Sequence, residues 1–182
     1  NSLQTDYPAD LLEILVVSDA SDDGTDRIVE RFDDARVRLL RMPERGGKTV
    51  GLNAAAEGAT GDVLIFSDAN AMYLPDAIRA LVRNFADPAV GAVVGESTYS
   101  ESQNEAEESE SLYWRYEIAI KRLESSLGSV VGGDGAIYAI RKELYRPMPA
   151  DALSDFVNPC QIVQQGHRCI YEPDAVSVEE AA

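Results

Sequence analysis

The sequence predicts an α/β fold: a mostly parallel, Rossmann-like sheet with helices on both faces. Three observations lead there. Apolar runs of strand length recur at 12–17, 37–40, 63–66 and 90–94. The stretches between them carry helix signals. The first and third runs end in polar, aspartate-containing clusters. Nearly continuous apolar runs are the mark of strands buried on both faces, and parallel strands need crossover helices to connect them.

The elements follow in order. Residues 12–17 form the first strand, ending in Ser18-Asp19-Ala20-Ser21-Asp22-Asp23-Gly24-Thr25. Residues 26–32 read as a helix with Ile28, Val29 and Phe32 on one face. A strand at 37–40 leads to a helix of small residues at 48–57, closed by Gly58. The strand at 63–66 runs into Ser67-Asp68-Ala69-Asn70, and Pro75 opens a helix over 75–85 before the strand at 90–94. Residues 96–110 hold six glutamates and no basic residue, which reads as a solvated loop or helix lead-in. A helix over 112–127 carries the stripe Leu112, Tyr116, Ala119, Leu123 and Leu127. A glycine cluster at 132–135, a short strand at 136–140 and a proline-rich stretch precede a helix at 154–165 with Ser154 as its N-cap. Short strands at 169–171 and 176–178 close the chain.

Composition narrows the function. Hydrophobic residues at 45% and charged residues at 26% are those of a globular domain. A net charge of −16 argues against nucleic acid as a partner, since its recognition needs a basic face. Such acidity fits either a high-salt habitat or a soluble protein with few lysines. There is no membrane-length apolar run and no signal peptide, and the chain lacks an initiator Met, as a piece of a longer protein would. Cys160 and Cys169 read as a reduced structural pair, which points to the cytoplasm, and His167 is given no catalytic role.

In an open α/β sheet, ligands bind beyond the carboxyl ends of the strands. Asp19, Asp22 and Asp23 follow one strand and Asp68 another. Asp68 and Asn70 are two apart, so an extended backbone would point both side chains the same way, suiting Mg2+ or Mn2+ that carries substrate phosphates. The residues alone reach an anion or metal-nucleotide site, against the plainer alternative that Asp and Ser merely end strands and start helices. Two decoys fall away. Gly47-Lys48-Thr49 would need a glycine at position 42 to be a P-loop, and that residue is Met42. Gly132-Gly133-Asp134-Gly135 lacks dinucleotide-binding spacing.

The same residues resemble a known family. Val16 to Thr25 is similar to the V-V-D-D-G-S-T-D-G-T segment of family-2 glycosyltransferases with the GT-A-type fold. Gly47-Lys48 with Leu52-Asn53-Ala54 resembles their G-K-x-x-A-L-N-x-A helix. Gly61 to Asn70 resembles the strand leading to their metal-binding D-x-D, and Gly133-Asp134-Gly135-Ala136 with Arg141 the stretch before the acceptor site. Leu153-Ser154-Asp155-Phe156 matches the position of their E-D motif, followed by a G-y-r-v-x-y-x-P-like segment from Gly166 to Pro173. The resemblance runs in register from about residue 12 to residue 180, with the polysaccharide-synthesising subgroup nearest in flavour through Leu112 to Glu117.

The resemblance implies an inverting transferase that moves a sugar from a nucleotide-diphosphate sugar, most commonly a UDP-sugar, to a hydroxyl of a glycan or lipid-linked acceptor. Residues 12–95 would form the donor half of a single catalytic core and 96–182 the acceptor and base half. Asp19, Ser21, Asp23, Lys48, Asn53 and Asp68 would bind the nucleotide-sugar, Asp68 and Asn70 the Mg2+ or Mn2+, and Gly133, Asp134 and Gly135 would face the acceptor. Asp155 would be the general base. Departures are Asn70 for an aspartate, Ser18 for an aspartate, and the absence of the family's first strand and its Q-x-x-R-W segment. These make the fragment an uncertain catalyst by itself, and any membrane association would come from segments outside it. A silent nucleotide-sugar-binding module and a sugar-phosphate nucleotidyltransferase are the rival readings. Trp114, Tyr113 and Tyr116 are expected in core packing or a domain contact, with sugar stacking and a membrane surface as the alternatives.

Overall fold

The computed structural model of the protein describes residues 1–99, 107–133 and 135–179. It is an α/β structure in which the predicted strands and helices recur in order, with one strand added and two merged. The strands are β1 (Ile14–Ser18), β2 (Val37–Arg41), β3 (Val63–Phe66), β4 (Met72–Tyr73), β5 (Val90–Tyr99), β6 (Tyr138–Arg141) and β7 (Arg168–Glu179). The helices are α1 (Thr25–Val29), α2 (Lys48–Gly58), α3 (Ala77–Arg83), α4 (Glu107–Leu127) and α5 (Ser154–Gln164).

The strands form two sheets. β1 and β2 pair in parallel, and a five-stranded sheet runs in the order β3-β6-β5-β7-β4. Only β5 and β7 are parallel in the larger sheet; β6 is antiparallel to both β3 and β5, and β4 to β7. The sheet is therefore mixed. Parallel pairing was expected because apolar runs report burial on both faces, and that burial is present, whereas strand direction leaves no trace in such a run.

Alternation along the central strands explains the two-sided core. Ala92, Val94, Tyr138 and Ile140 face one cluster with Leu64, Phe66, Cys169 and Ile162 of α5, and Leu52 of α2 packs against it. Val93 and Ala139 face the other, with Ala77, Ile78, Ala80 and Leu81 of α3. Phe66 and Tyr138 stack at 4.7 Å between ring centroids, which contributes about 1 kcal/mol beyond area burial. Register shifts on β5 fall at Gly91 and Gly95, where a Cβ would lie 2.6 Å from the Ile162 side chain and 2.4 Å from the Ala175 carbonyl oxygen, so neither bulge has room for a side chain.

Several local expectations change. The run at 90–94 continues to Tyr99, so Glu96 to Thr98 lie in a strand rather than in the acidic loop. The two short closing strands are one, and β4 is an addition, a two-residue strand recruited onto the middle of β7. Asn1 bonds both backbone groups of Tyr73 and so ties the chain's start to β4. The helix expected at 26–32 stops at Val29, leaving Ile28 and Phe32 exposed. Ser154 is the first residue of α5 and Leu153 its N-cap.

The stripe expected on α4 does not face the core: Tyr116, Leu123 and Leu127 are 65%, 61% and 87% exposed. The helix meets the sheet instead through Ile118 and through Ser125, whose hydroxyl accepts from the Tyr171 amide at 3.0 Å. The side chains of Leu112, Tyr113 and Trp114 lie outside the described residues. Among the described residues no helix is long and apolar enough to cross a membrane. Both cysteines are free, Cys169 buried and Cys160 half-buried; burial, and next the neighbouring Cys160, push the Cys169 thiol up to about 12.

Candidate active site

The loops after β1 and β2 are fastened by aspartates. Asp19 accepts from the amides of Gly46 at 2.7 Å and Gly47 at 2.9 Å, one on each oxygen. These hydrogen bonds, Gly46 first, hold its carboxyl below the usual carboxylate range. Gly47, with φ of +85°, is the N-cap of α2, a backbone conformation that excludes ordinary side chains. Asp23 accepts from the hydroxyl of Thr25 at 2.6 Å and its amide at 3.0 Å, so it starts α1. Asp22 pairs with Arg45 across the same rim, where Ser21 lies half-buried. Asp19 thus orders the lip of the site, and Asp23 has a local structural task.

Deeper in, three charged side chains surround one small space beside Gly135. A Cβ built on Gly135 would lie 3.4 Å from Asp68 Oδ2, 3.5 Å from Lys48 Nζ and 3.7 Å from Asp155 Oδ2. Lys48 also donates to Asp68 Oδ1. Residues 48, 68, 135 and 155 come from the start of α2, the end of β3, the glycine loop before β6 and the first turn of α5. The fold therefore brings together Lys48, Asp68, Gly135 and Asp155, which are far apart in sequence.

Specific contacts hold these elements in register. Thr49 donates to the Ala152 carbonyl at 2.9 Å, tying the first turn of α2 to the residues before α5. Asn53 donates to the Met148 carbonyl at 2.8 Å and accepts from the Met148 amide at 3.0 Å and the Tyr145 hydroxyl at 2.5 Å. Its side chain thereby holds the 145–148 segment against α2. Pro159 lies inside α5 and cannot donate to the carbonyl of Asp155 four residues earlier. The Gly133 amide takes that carbonyl at 2.7 Å, docking the glycine loop on the helix that carries Asp155. A Cβ on Gly133 would meet the same oxygen at 2.5 Å. Tyr73 lies over the end of β3, its hydroxyl 3.5 Å from the Phe66 carbonyl and 3.4 Å from that of Ala136; burial pushes it up to about 12.

Sequence reasoning missed Thr49, Tyr73, Tyr145 and Pro159. Pro159 alone had a visible signal, a proline inside an otherwise regular helix. Of the glycines expected to face the acceptor, Gly133 docks on the Asp155 carbonyl and Gly135 borders Asp68, Lys48 and Asp155; Asp134 is outside the described residues. Arg141 is a staple, donating to the carbonyls of Val90, Phe85 and Asp87 with its guanidinium 5.3 Å from the Phe85 ring centroid.

The metal expectation needs one geometric correction. Residues 68–71 form a turn closed by the Ala71 amide on the Asp68 carbonyl at 3.2 Å, so Asp68 and Asn70 do not share one side of an extended strand. Asn70 is exposed. Among the described residues no three His, Cys, Asp or Glu side chains cluster as a protein-only cage. A half-exposed Asp68 whose Oδ2 borders the space beside Gly135 nevertheless fits Mg2+ or Mn2+, which typically keep water and substrate phosphates and use one or two carboxylates.

The sequence model of Glycosyl transferase family 2 matches residues 1–146. An N-acetylglucosaminyltransferase of Rhizobium sp. (strain N33) is 26% identical over 196 residues, covering 98% of this chain and 43% of the relative. Among solved structures, a mannosyltransferase from Pyrobaculum calidifontis in complex with GDP-Man and Mn2+ superposes with a TM-score of 0.83 at 32% identity, covering 98% of this chain and 50% of that one. S. aureus TarS residues 1–349 in complex with UDP-GlcNAc shares the fold, with a TM-score of 0.71 at 13% identity over 100% of this chain and 53% of that one. The chain spans about half the length of these proteins or less. Its α/β fold is of the GT-A type, and the match over residues 1–146 settles the family: the chain belongs to glycosyl transferase family 2.

Proposed function

We propose that the chain is the core of an inverting glycosyltransferase that moves a sugar from a nucleoside-diphosphate sugar to a hydroxyl of a glycan or lipid-linked acceptor. The observation that carries this is the meeting of Asp68, Lys48 and Asp155 around the space beside Gly135. An in-line displacement needs an electrostatic anchor for the leaving diphosphate and a base for the incoming hydroxyl, both bordering the reacting carbon. Lys48 and the N-terminal turn of α2 supply positive charge and amide donors on one border. Asp155 supplies a carboxylate oxygen on another. A divalent cation bound at Asp68 would neutralise charge developing on the diphosphate.

Residues 12–95 then serve the donor and 96–182 the acceptor and the base. Asp19, ordered by Gly46 and Gly47, borders the nucleoside end of the donor, with Ser21 beside it. The donor of this reading is a hexosyl or N-acetylhexosaminyl group on uridine or guanosine diphosphate, with polysaccharide synthesis in the cytoplasm as the setting. The GDP-Man complex of the mannosyltransferase and the N-acetylglucosaminyltransferase relative support the sugar class. Asp155→Asn tests the assignment. The exchange keeps the side chain's size and removes the base, so turnover should fall by about 10²–10⁴-fold while donor affinity stays within about twofold. Turnover retained at wild-type rate would refute Asp155 as the base. Failure of UDP, GDP and their sugars to bind in any divalent metal would refute the donor site and favour a silent module.

A further inference from the structure

We propose that Lys48 is the resident counter-ion of the site: it holds Asp68 until donor and divalent metal arrive, and so makes metal binding conditional on the nucleotide. The inference rests on the reading of Asp68 as the metal carboxylate. Lys48 is the first residue of α2, and Thr49 and Asn53 fix that helix against the 145–152 segment. Its base is therefore firmly placed, while its side chain remains 53% exposed on a flexible stem. The ammonium occupies Oδ1 of Asp68, and Oδ2 of the same carboxylate borders the space beside Gly135 together with the ammonium itself.

One carboxylate facing two cations sets up a competition. A divalent ion on Asp68 would lie beside the Lys48 ammonium, and like charges at such separations repel. Asp155 also borders the space beside Gly135, and the proposed chemistry needs it as a base. The donor resolves the conflict, because its diphosphate brings negative charge that both the metal and the ammonium can share. Lys48 then turns from Asp68 to the phosphates, and the carboxylate is released to the metal. Coupling of this kind is reciprocal: nucleotide tightens metal binding by the same factor that metal tightens nucleotide binding.

A purely structural Lys48 makes a different prediction from a competing one. If the side chain merely supports the site, removing it weakens every ligand. If it competes with metal and assists phosphate, removal tightens metal and weakens nucleotide, an opposite pair of signs. Mn2+ binding is measured without nucleotide, through the electron-spin resonance of free Mn2+, and repeated with UDP or GDP. Lys48→Met should bind Mn2+ alone about tenfold more tightly than wild type, within the ordinary range of coupling between sites. It should also lose most of the tightening that nucleotide gives, whereas Lys48→Arg should behave like wild type. Equal or weaker Mn2+ binding by Lys48→Met overturns the inference. Asp68→Asn separates the two layers: if it loses Mn2+ while Lys48→Met gains nothing, the metal reading stands and the counter-ion role fails. If Asp68→Asn binds Mn2+ as wild type does, both fail.

Discussion

Replacing Gly135 with alanine would place a methyl carbon 3.4 Å from Asp68 Oδ2, 3.5 Å from Lys48 Nζ and 3.7 Å from Asp155 Oδ2. All three are ordinary van der Waals contacts, so the methyl itself has room. A glycine replaced without strain stabilises by about 0.4–1 kcal/mol, through the lost freedom of the unfolded chain. The thermal midpoint of Gly135→Ala should therefore stay level or rise. Function should move the other way. The methyl fills the space that a sugar-phosphate linkage would need in order to reach Asp68, Lys48 and Asp155 together, and a misplacement of about 1 Å in a reacting group can cost about 10²-fold in rate. That factor corresponds to about 2.7 kcal/mol of transition-state stabilisation. Donor binding by calorimetry, sugar transfer by product release and unfolding by calorimetric scan give the three readouts. A Gly135→Ala protein that binds and transfers as wild type does would refute the placement of the reaction beside Gly135. One that unfolds many degrees lower would refute the packing argument.

Gly133→Ala should behave differently, because its Cβ would lie 2.5 Å from the Asp155 carbonyl oxygen and one backbone must yield. Overpacking of this kind costs about 1–3 kcal/mol, so both the unfolding midpoint and the turnover should fall, and an unchanged midpoint would contradict the docking of the glycine loop on α5. Asp19 predicts a pH effect. Its folded carboxyl titrates below the ordinary 3.8 because it accepts from the Gly46 and Gly47 amides, so the order it gives the lip is complete above that value and is lost as pH falls through the lower folded one. The amide resonances of both glycines should move together with a midpoint below 3.8, and a midpoint at or above it would remove Asp19 as their anchor.

By itself the sequence determined the class, the element order and the candidate site. Apolar runs of strand length, stretches of helix formers between them, and aspartates after the first and third strands are local signals, because each depends on residues a few positions apart. The helix ends shift, α3 starting at Ala77 after its N-cap Asp76 rather than at Pro75, and α2 including Gly58 with Ala59 as its C-cap. Asp68, Lys48, Gly135 and Asp155 could be named for the same reason: each belongs to a short motif resembling a known family. What the chain could not reveal locally was decided by pairing and packing. The antiparallel insertion of β6 between β3 and β5 depends on which backbones meet, and a run such as Val63 to Phe66 is equally apolar for either direction. The stripe of α4 kept its helical spacing, yet Ile118 and Ser125 face the sheet while Tyr116 and Leu123 face outward, since periodicity marks a face without naming its partner. Asn53 sits in a donor-site motif, but only the fold shows Tyr145 and Met148 taking its amide. The closest coupling of the two levels is at Pro159: the sequence removes one amide from α5, and the tertiary structure supplies another from Gly133, so that the helix bearing Asp155 is fixed beside Lys48 and Asp68.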